Sequence, residues 1–213
     1  MIDRAKKTTR SAADFLPDSL DLGELAKAAQ HCRGCDLYKN ATQAVFGAGR
    51  PHARVMFVGE QPGDQEDRVG KPFVGPAGRL LDEVLEQVGI DRGDVYVTNA
   101  VKHFKWKPSG KRRLHAKPSA REMAACRPWL EAELESVHPE VIVCLGATAA
   151  QSLLGPAFRI TKERGQFLKY DAARLLATYH PSAILRAPDA NARTEMRKQF
   201  MADLRKVARQ IRK

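Results

Sequence analysis

The sequence predicts a single α/β domain: an α/β/α sandwich around a central, mostly parallel four-stranded sheet. Short apolar runs of strand length alternate with longer segments whose apolar residues recur every three or four positions. This alternation favours parallel strands joined by helices that cover both faces of the sheet. The length of 213 residues suits one such domain and is short for two. We expect the domain to span residues 17–213, after a loosely ordered basic arm at residues 1–16.

Four apolar runs predict the strands, and five periodic segments predict the main helices. The strands are expected at residues 55–58, 95–98, 141–145 and 174–178, the last being the weakest pattern. The helices are expected at residues 20–30, 80–88, 119–134, from 146 onward and 196–211.

Polar residues follow the first strand directly, beginning with Gly59, Glu60 and Gln61. Ligands of open α/β sheets bind beyond the carboxyl ends of the strands, where loops and helix N-termini meet. The stretch therefore predicts a site, although a polar turn between strand and helix is the simpler alternative.

The net charge of +11 favours a polyanionic partner if the charge is clustered. Residues 102–117 hold seven Lys or Arg, two His, one Phe and one Trp without any acid, which predicts a loop for phosphate contacts and base stacking. A solvated basic loop is the alternative. His115 follows three cations directly, and a neutral imidazole is a nucleophile whose pKa neighbouring cations lower. His180 ends the fourth strand, where it can donate a hydrogen bond to an anionic leaving group or play a structural part.

Four cysteines, Cys32, Cys35, Cys126 and Cys144, indicate a metal site if the protein is intracellular. We expect a cytoplasmic protein because no apolar run is long enough to cross a bilayer and the N-terminus has no secretory signal. Four thiolates can hold zinc or an iron–sulfur cluster, and the spacing leaves both open. Cys144 lies in a strand and can equally be a small core residue.

Together these residues resemble the uracil-DNA glycosylase superfamily, specifically its iron–sulfur branch related to family 4, and within that branch the UdgX group. The resemblance runs from residue 32 to 186. The basic motif KRRLH looks like the KRRIH loop of UdgX, and Gln61 stands where ordinary members of the branch have alanine. The motifs are Cys-x-x-Cys, GEQPG at 59–63, GKPFVGPAG at 70–78, TNAVKH at 98–103, KRRLH at 111–115 and HPSAILR at 180–186.

The resemblance implies a role for each motif. Phe73 would stack on a flipped uracil, Asn99 would pair with its polar edge, Glu66 would exclude the methyl group of thymine, and Gly59 would lie against the base. The DNA contacts would come from Lys111, Arg112, Arg113, Ser182 and Arg186. The four cysteines would hold a [4Fe–4S] cluster, with zinc as the alternative. The implied partner is uracil-containing DNA, single-stranded first and double-stranded second, bound by a monomer associated with the nucleoid.

The resemblance also implies the reaction. His180 would stabilise the uracil anion, and Gln61 would replace the carboxylate that positions water in the superfamily's best-known branch. His115 would then capture C1′ of the sugar, with Glu60 orienting it and accepting its proton, so that the enzyme turns over once. The alternatives are an ordinary turnover glycosylase, a non-catalytic reader of damaged nucleic acid, and an electron-transfer protein.

Overall fold

The computed structural model describes residues 10–212, and these form one six-stranded sheet with helices on both faces. The strands are β1 (Ala48–Gly49), β2 (Val55–Gly59), β3 (Val95–Asn99), β4 (Trp106–Ser109), β5 (Arg112–His115), β6 (Val141–Leu145), β7 (Phe167–Tyr170) and β8 (Ala173–Thr178). The strand order in the sheet is β1-β3-β2-β6-β8-β7, and a separate hairpin contains β4 and β5.

The four central strands are parallel, as predicted, and β1 and β7 add antiparallel edges. The expected α/β fold with a mostly parallel sheet is confirmed, while the strand count of four is too low. The two edge strands escaped prediction because β1 has only two residues and β7 is only partly buried, so neither carries an apolar run.

The helices lie in two layers, because successive side chains of a strand point to opposite faces of the sheet. The helices are α1 (Leu22–Ala29), α2 (Asp64–Val69), α3 (Pro76–Val88), α4 (Ala120–Val137), α5 (Ala147–Leu154), α6 (Ile160–Glu163), α7 (Pro181–Leu185) and α8 (Ala190–Ile211). Phe57 and Val97 face α3, α7 and α8. Met56 and Tyr96 face α4 and α5. Within residues 10–212, no helix is long and apolar enough to cross a membrane.

The prediction of a loose arm over residues 1–16 is wrong for its last part. Ala12–Phe15 form a 3-10 helix whose capping box pairs Ser11 with Asp14. Ala12 is fully buried beside α1 and α4. Ordered packing therefore begins before the predicted boundary at residue 17, while residues 1–9 lie outside the described part of the chain.

The prediction of a loop over residues 102–117 is also wrong. Lys102, His103 and Phe104 are buried, at 1%, 4% and 1% exposure. The rest forms the β4–β5 hairpin, in which Trp106 pairs with His115 and Ser109 pairs with Arg112. Gly110, at φ +56, begins the two-residue connection, where glycine adopts a positive φ without strain. The basic tip is thus held on a hairpin with defined faces.

The carboxyl ends of β2, β3, β6 and β8 meet at one edge of the sheet. Gly59 of β2 pairs with Asn99 of β3, so the residues that follow these strands start side by side. The chain passes from β2 to β3 on one side and later to β6 on the other, which makes the end of β2 the point where the strand order reverses. Ligand sites of open α/β sheets form at such points.

Candidate active site

A cavity of about 690 Å³ opens at this edge of the sheet. Each of the four parallel strands, or the segment that follows it, contributes to its walls, and the hairpin adds His115 at the rim. The sequence-predicted residues that line it are Glu60, Gln61, Glu66, Phe73, Asn99, His115, His180, Ser182 and Arg186. Folding thus brings together residues that are up to 126 positions apart in the chain.

Asn99 lies against Gly59 and Phe73 in this cavity. Its side-chain oxygen Oδ1 is buried and has no hydrogen-bond partner among the described residues. A Cβ atom on Gly59 would lie 2.3 Å from that oxygen and 2.8 Å from Cζ of Phe73, so only glycine fits there. Phe73 adopts φ +56, a costly conformation for a bulky residue that the surrounding packing must hold. A buried acceptor without a partner, next to an aromatic ring, suits a planar ligand that carries an N–H group.

Glu66 lines the same cavity, but both of its carboxylate oxygens are occupied. Oε1 accepts the amide of Gly75 at 2.7 Å, and Oε2 accepts the amide of Gly63 at 3.1 Å. Glu66 therefore joins the loop after β2 to the loop before α3. Its predicted part in excluding a methyl group stays a prediction.

His180 presents a defined tautomer to the cavity. Its Nδ1 accepts the Ser182 amide at 3.1 Å, and the Ser182 hydroxyl lies 2.8 Å from the same nitrogen. Burial lowers the pKa of His180 to about 4, and the neighbouring Arg186 and His115 contribute to this lowering. The neutral ring with Nδ1 as acceptor carries its proton on Nε2, so we assign Nε2 as a donor. The ring also stacks on Phe73, at 6.0 Å between centroids.

His115 meets Gln61 and Glu60 at the rim. Its Nε2 lies 2.8 Å from Nε2 of Gln61 and 3.6 Å from Oε1 of Glu60. Burial lowers the pKa of His115, Glu60 acts against this, and Arg186 lowers the pKa further. The Gln61 side chain also bridges the two residues that flank the hairpin. Its Oε1 accepts a hydrogen bond from the backbone amide of Lys105, and its Nε2 donates to the carbonyl of Ala116. Gln61 therefore holds the segment that carries His115.

Arg113 anchors the hairpin to the acidic residues that follow β2. Strand alternation puts it on the same face of β5 as His115. Its guanidinium donates to Asp64 at 2.5 Å and to Asp67 at 2.6 Å, and it lies 5.5 Å from the centre of the Phe104 ring. Two carboxylates thus hold the Arg113 guanidinium in this structure, and its assignment to DNA binding stays a prediction.

The four other predicted DNA contacts have different surroundings. Lys111 and Arg112 are exposed at the hairpin tip, and Arg186 is exposed at the cavity mouth. Ser182 contacts His180, because both its amide and its hydroxyl lie within hydrogen-bond distance of Nδ1 of that ring. Of these residues, Ser182 and Arg186 line the cavity, and Lys111 and Arg112 lie on the hairpin that carries His115.

The model of the family described as "Uracil DNA glycosylase superfamily" matches residues 46–205. The chain belongs to this superfamily. It is 39% identical over 191 residues to a type-4 uracil-DNA glycosylase of Thermotoga maritima, covering 89% of this chain and 94% of that one. It is 37% identical over 198 residues to the type-4 enzyme of Archaeoglobus fulgidus, covering 89% and 92%. A type-5 uracil-DNA glycosylase of Pyrobaculum aerophilum is 32% identical over 153 residues, covering 64% of each chain.

In this superfamily member only three of the four cysteines lie together. Cys32, Cys35 and Cys126 share one core cluster. Burial raises the pKa of Cys126 to about 12, and the thiols of Cys35 and Cys32 are close enough to add to this. Cys144 lies in the core between the sheet and the layer of α4 and α5, and burial alone raises its pKa. The predicted four-cysteine site is therefore corrected: Cys144 is a core residue, and a metal would need another fourth ligand.

No set of three or more His, Cys, Asp or Glu side chains within residues 10–212 is gathered around a single metal ion. Zinc binds four ligands at about 2.0 to 2.3 Å, and an iron–sulfur cluster takes its ligands at separate corners. Either group would need a fourth ligand beside the three grouped thiols.

Sequence reasoning missed three residues of the superfamily member's site. Asp67 is fully buried, holds Arg113 and also accepts the Thr42 amide at 2.9 Å. Lys102 and His103 are buried next to Asn99 and Cys126. The acidic cluster after β2 was a signal for Asp67. Lys102 and His103 were not predicted because they begin a basic segment whose composition resembles that of a surface loop.

Proposed function

We propose that the protein is a uracil-DNA glycosylase of the UdgX type, which releases uracil from DNA and then forms a covalent bond from His115 to C1′ of the abasic sugar. One observation carries the proposal. The Nε2 atom of His115 reaches the rim of a cavity in which the Asn99 acceptor lacks a partner among the described residues. The type-4 relatives support the glycosylase activity, and the hairpin with Gln61 supports the capture.

Asn99 and Phe73 supply base recognition. A flipped uracil would place its N3–H against Oδ1 of Asn99 and its ring against Phe73. Cytosine has an unprotonated N3 and leaves that acceptor unpaired, which costs binding energy in a buried site. This pair of residues therefore favours uracil over cytosine.

His180 stabilises the leaving group. Cleavage of the N1–C1′ bond sends the bonding electron pair to the base, so negative charge develops on uracil while the sugar becomes cationic. Nε2–H of His180 can donate to O2 of that anion, and the low pKa of the ring keeps it neutral before the reaction. A preorganised donor of this kind contributes about 3 to 4 kcal/mol to the transition state.

His115 then competes with water for the sugar cation. Gln61 donates to Nε2, so the neutral ring carries its proton on Nδ1 and its lone pair lies on Nε2. The hydrogen bond from Gln61 must break before this lone pair can attack. Attack by this lone pair forms the C1′–Nε2 bond and leaves a positively charged imidazolium. An amide such as Gln61 cannot accept a proton from water, so solvent is a poor competitor here.

For Glu60 we propose a role in this step that differs from the proton acceptance expected from the sequence. Its carboxylate approaches Nε2, the atom that forms the bond, whereas the proton sits on Nδ1. Glu60 therefore stabilises the charge of the imidazolium instead of accepting its proton. Coulomb attraction at this distance is effective because part of the site is removed from water.

The partner is uracil-containing DNA, with single-stranded DNA as the first choice. Lys111 and Arg112 at the hairpin tip and Arg186 at the cavity mouth are exposed, and they would contact phosphates. A single strand gives up a base to the cavity without breaking a base pair. We further propose that the protein acts as a monomer in the cytoplasm.

The proposed cofactor is a [4Fe–4S] cluster held by Cys32, Cys35 and Cys126. His103 is the candidate for the fourth ligand: it follows Lys102, whose amide donates to Sγ of Cys126 at 3.2 Å, and it is 4% exposed. Burial lowers its pKa to about 4, so the ring is neutral, as a ligand must be. Histidine is known to replace cysteine in some iron–sulfur centres. The cluster would add structural cross-links there.

The test is denaturing electrophoresis after mixing the protein with a uracil-containing single strand. Wild-type protein should give a heat-stable shifted band and no more than one released uracil per protein. His115→Ala should lose the band and leave free abasic DNA, while the exposed control His31→Ala should behave as wild type. Abasic DNA in excess over wild-type protein would instead identify a turnover glycosylase. Intact uracil–sugar bonds would identify a non-catalytic reader.

A further inference from the structure

A fully buried ion pair joins the turn after β3 to helix α4. The side chains of Lys102 and Glu133 are 1% and 0% exposed, and Nζ lies 2.5 Å from Oε2. Nζ also donates to Oγ1 of Thr98 at 2.7 Å and to the backbone carbonyl of Asn99 at 2.7 Å. The three N–H bonds of the ammonium therefore all have acceptors.

Burying the Lys102–Glu133 ion pair carries a cost in free energy that an apolar core would not have. Removing two charges from water carries a penalty that apolar side chains of similar volume would avoid. Here the penalty is offset by a complete network, because Glu133 also accepts the Gly47 amide at 2.9 Å and the Tyr96 hydroxyl at 3.0 Å. Such a network orients its members more sharply than apolar packing does.

What the network orients is the turn of residues 99–102. The amides of Ala100 and Val101 donate to the carbonyls of Gly59 and Glu60, at 2.9 and 3.0 Å. Nζ of Lys102 holds the carbonyl of Asn99 from the opposite side of the turn. The Lys102 amide donates to Sγ of Cys126 at 3.2 Å. The backbone of Asn99 is therefore held between the end of β2, the buried ion pair and a cysteine.

We propose that Lys102 is a positioning residue for uracil excision: it fixes the backbone of Asn99, so that the unpaired oxygen Oδ1 points at the base, and ties that position to Cys126. The proposal rests on the proposed glycosylase function. Lys102 touches neither the DNA nor His115. It acts only through Asn99, so its loss should slow the chemical step and leave DNA binding unchanged.

The main test removes both charges together, because a single substitution would leave the other charge buried without a partner. In Lys102→Met/Glu133→Gln, the glutamine oxygen still accepts from Gly47 and Tyr96. The rate constant of uracil release is measured with protein in excess over a uracil-containing single strand, and DNA affinity is measured on the same strand without uracil. We expect a rate loss of about 100-fold, the effect of misplacing a reacting group by about 1 Å, with unchanged affinity.

Two further variants keep the test decisive. Leu25→Ala empties a fully buried site in the same core cluster as Cys126, so it lowers the melting temperature without touching Asn99. Its rate should stay within about threefold of wild type. Thr98→Val conserves shape and removes one partner of Nζ, and we expect a loss of about tenfold even if the double variant does not fold.

The possible outcomes separate the two proposals. If wild-type protein releases uracil and the double and Thr98→Val variants release it equally fast, the role of Lys102 is refuted. The proposed glycosylase function then still stands. An equal loss in Leu25→Ala also refutes the role of Lys102, because the effect would then be general destabilisation. Wild-type protein that releases no uracil refutes the proposed function and this inference with it.

Discussion

Substituting Gly59 by alanine should disable uracil excision while leaving the fold intact. The added Cβ would lie 2.3 Å from Oδ1 of Asn99 and 2.8 Å from Cζ of Phe73, both below any ordinary contact. To reach a normal contact, the Asn99 oxygen must retreat by about 1 Å, and a displacement of this size costs about 100-fold in rate. Gly59 ends β2 inside the sheet and needs no positive φ, so the backbone itself accepts alanine.

The assay is single-turnover release of uracil from a single strand, with the melting temperature recorded in parallel. Gly93→Ala is the matched control: its Cβ would lie 3.3 Å from the flexible Asp91 side chain, and Gly93 does not line the cavity. We expect the control to react at the wild-type rate. A Gly59→Ala protein within about threefold of wild type would refute the reasoning, because the base would then not depend on the Asn99 position.

Three further predictions follow from the site. Burial lowers the pKa of His115 below 6.5. The rate of adduct formation should therefore be constant above neutral pH and fall only below pH 6.5, where acid protonates Nε2. A half-maximal rate above pH 6.5 would contradict this. Arg113→Gln should release the hairpin and slow adduct formation about tenfold, while uracil release is retained. Arg112→Gln should instead weaken DNA binding in a salt-dependent way. Equal effects of the two substitutions would exclude the role of Arg113 as the anchor of the hairpin. Cys126→Ala should lower the iron content of the purified protein, and Cys144→Ala should leave it unchanged. Iron loss in both variants would restore the four-cysteine site.

The four parallel strands and most helices could be predicted because burial imposes a local pattern on the sequence. Val55 and Val141 begin runs that are buried on both faces of the sheet, so each run is apolar throughout. Ser119 and Glu122 form the capping box that starts α4, a signal contained within four residues. The cavity residues were also found, because each follows a strand end or belongs to a motif.

Other features depend on contacts between distant segments. Residues 102–117 show only a basic composition, and nothing local reveals that Arg113 meets Asp64 and Asp67 across 46 or more positions. The burial of Lys102 is equally invisible, because its counter-charge Glu133 lies 31 positions away on α4.

The sequence by itself determined the α/β class, the order of the elements and the set of residues that gather at the carboxyl edge of the sheet. Those features follow from apolar periodicity and from short motifs, which act over a few residues. Only the tertiary structure decided which cations are neutralised, which three cysteines share a cluster, and which nitrogen of His115 faces the cavity. These depend on the distance and burial of groups far apart in the chain, and a charge or a thiol has no fixed role until its neighbours are in place.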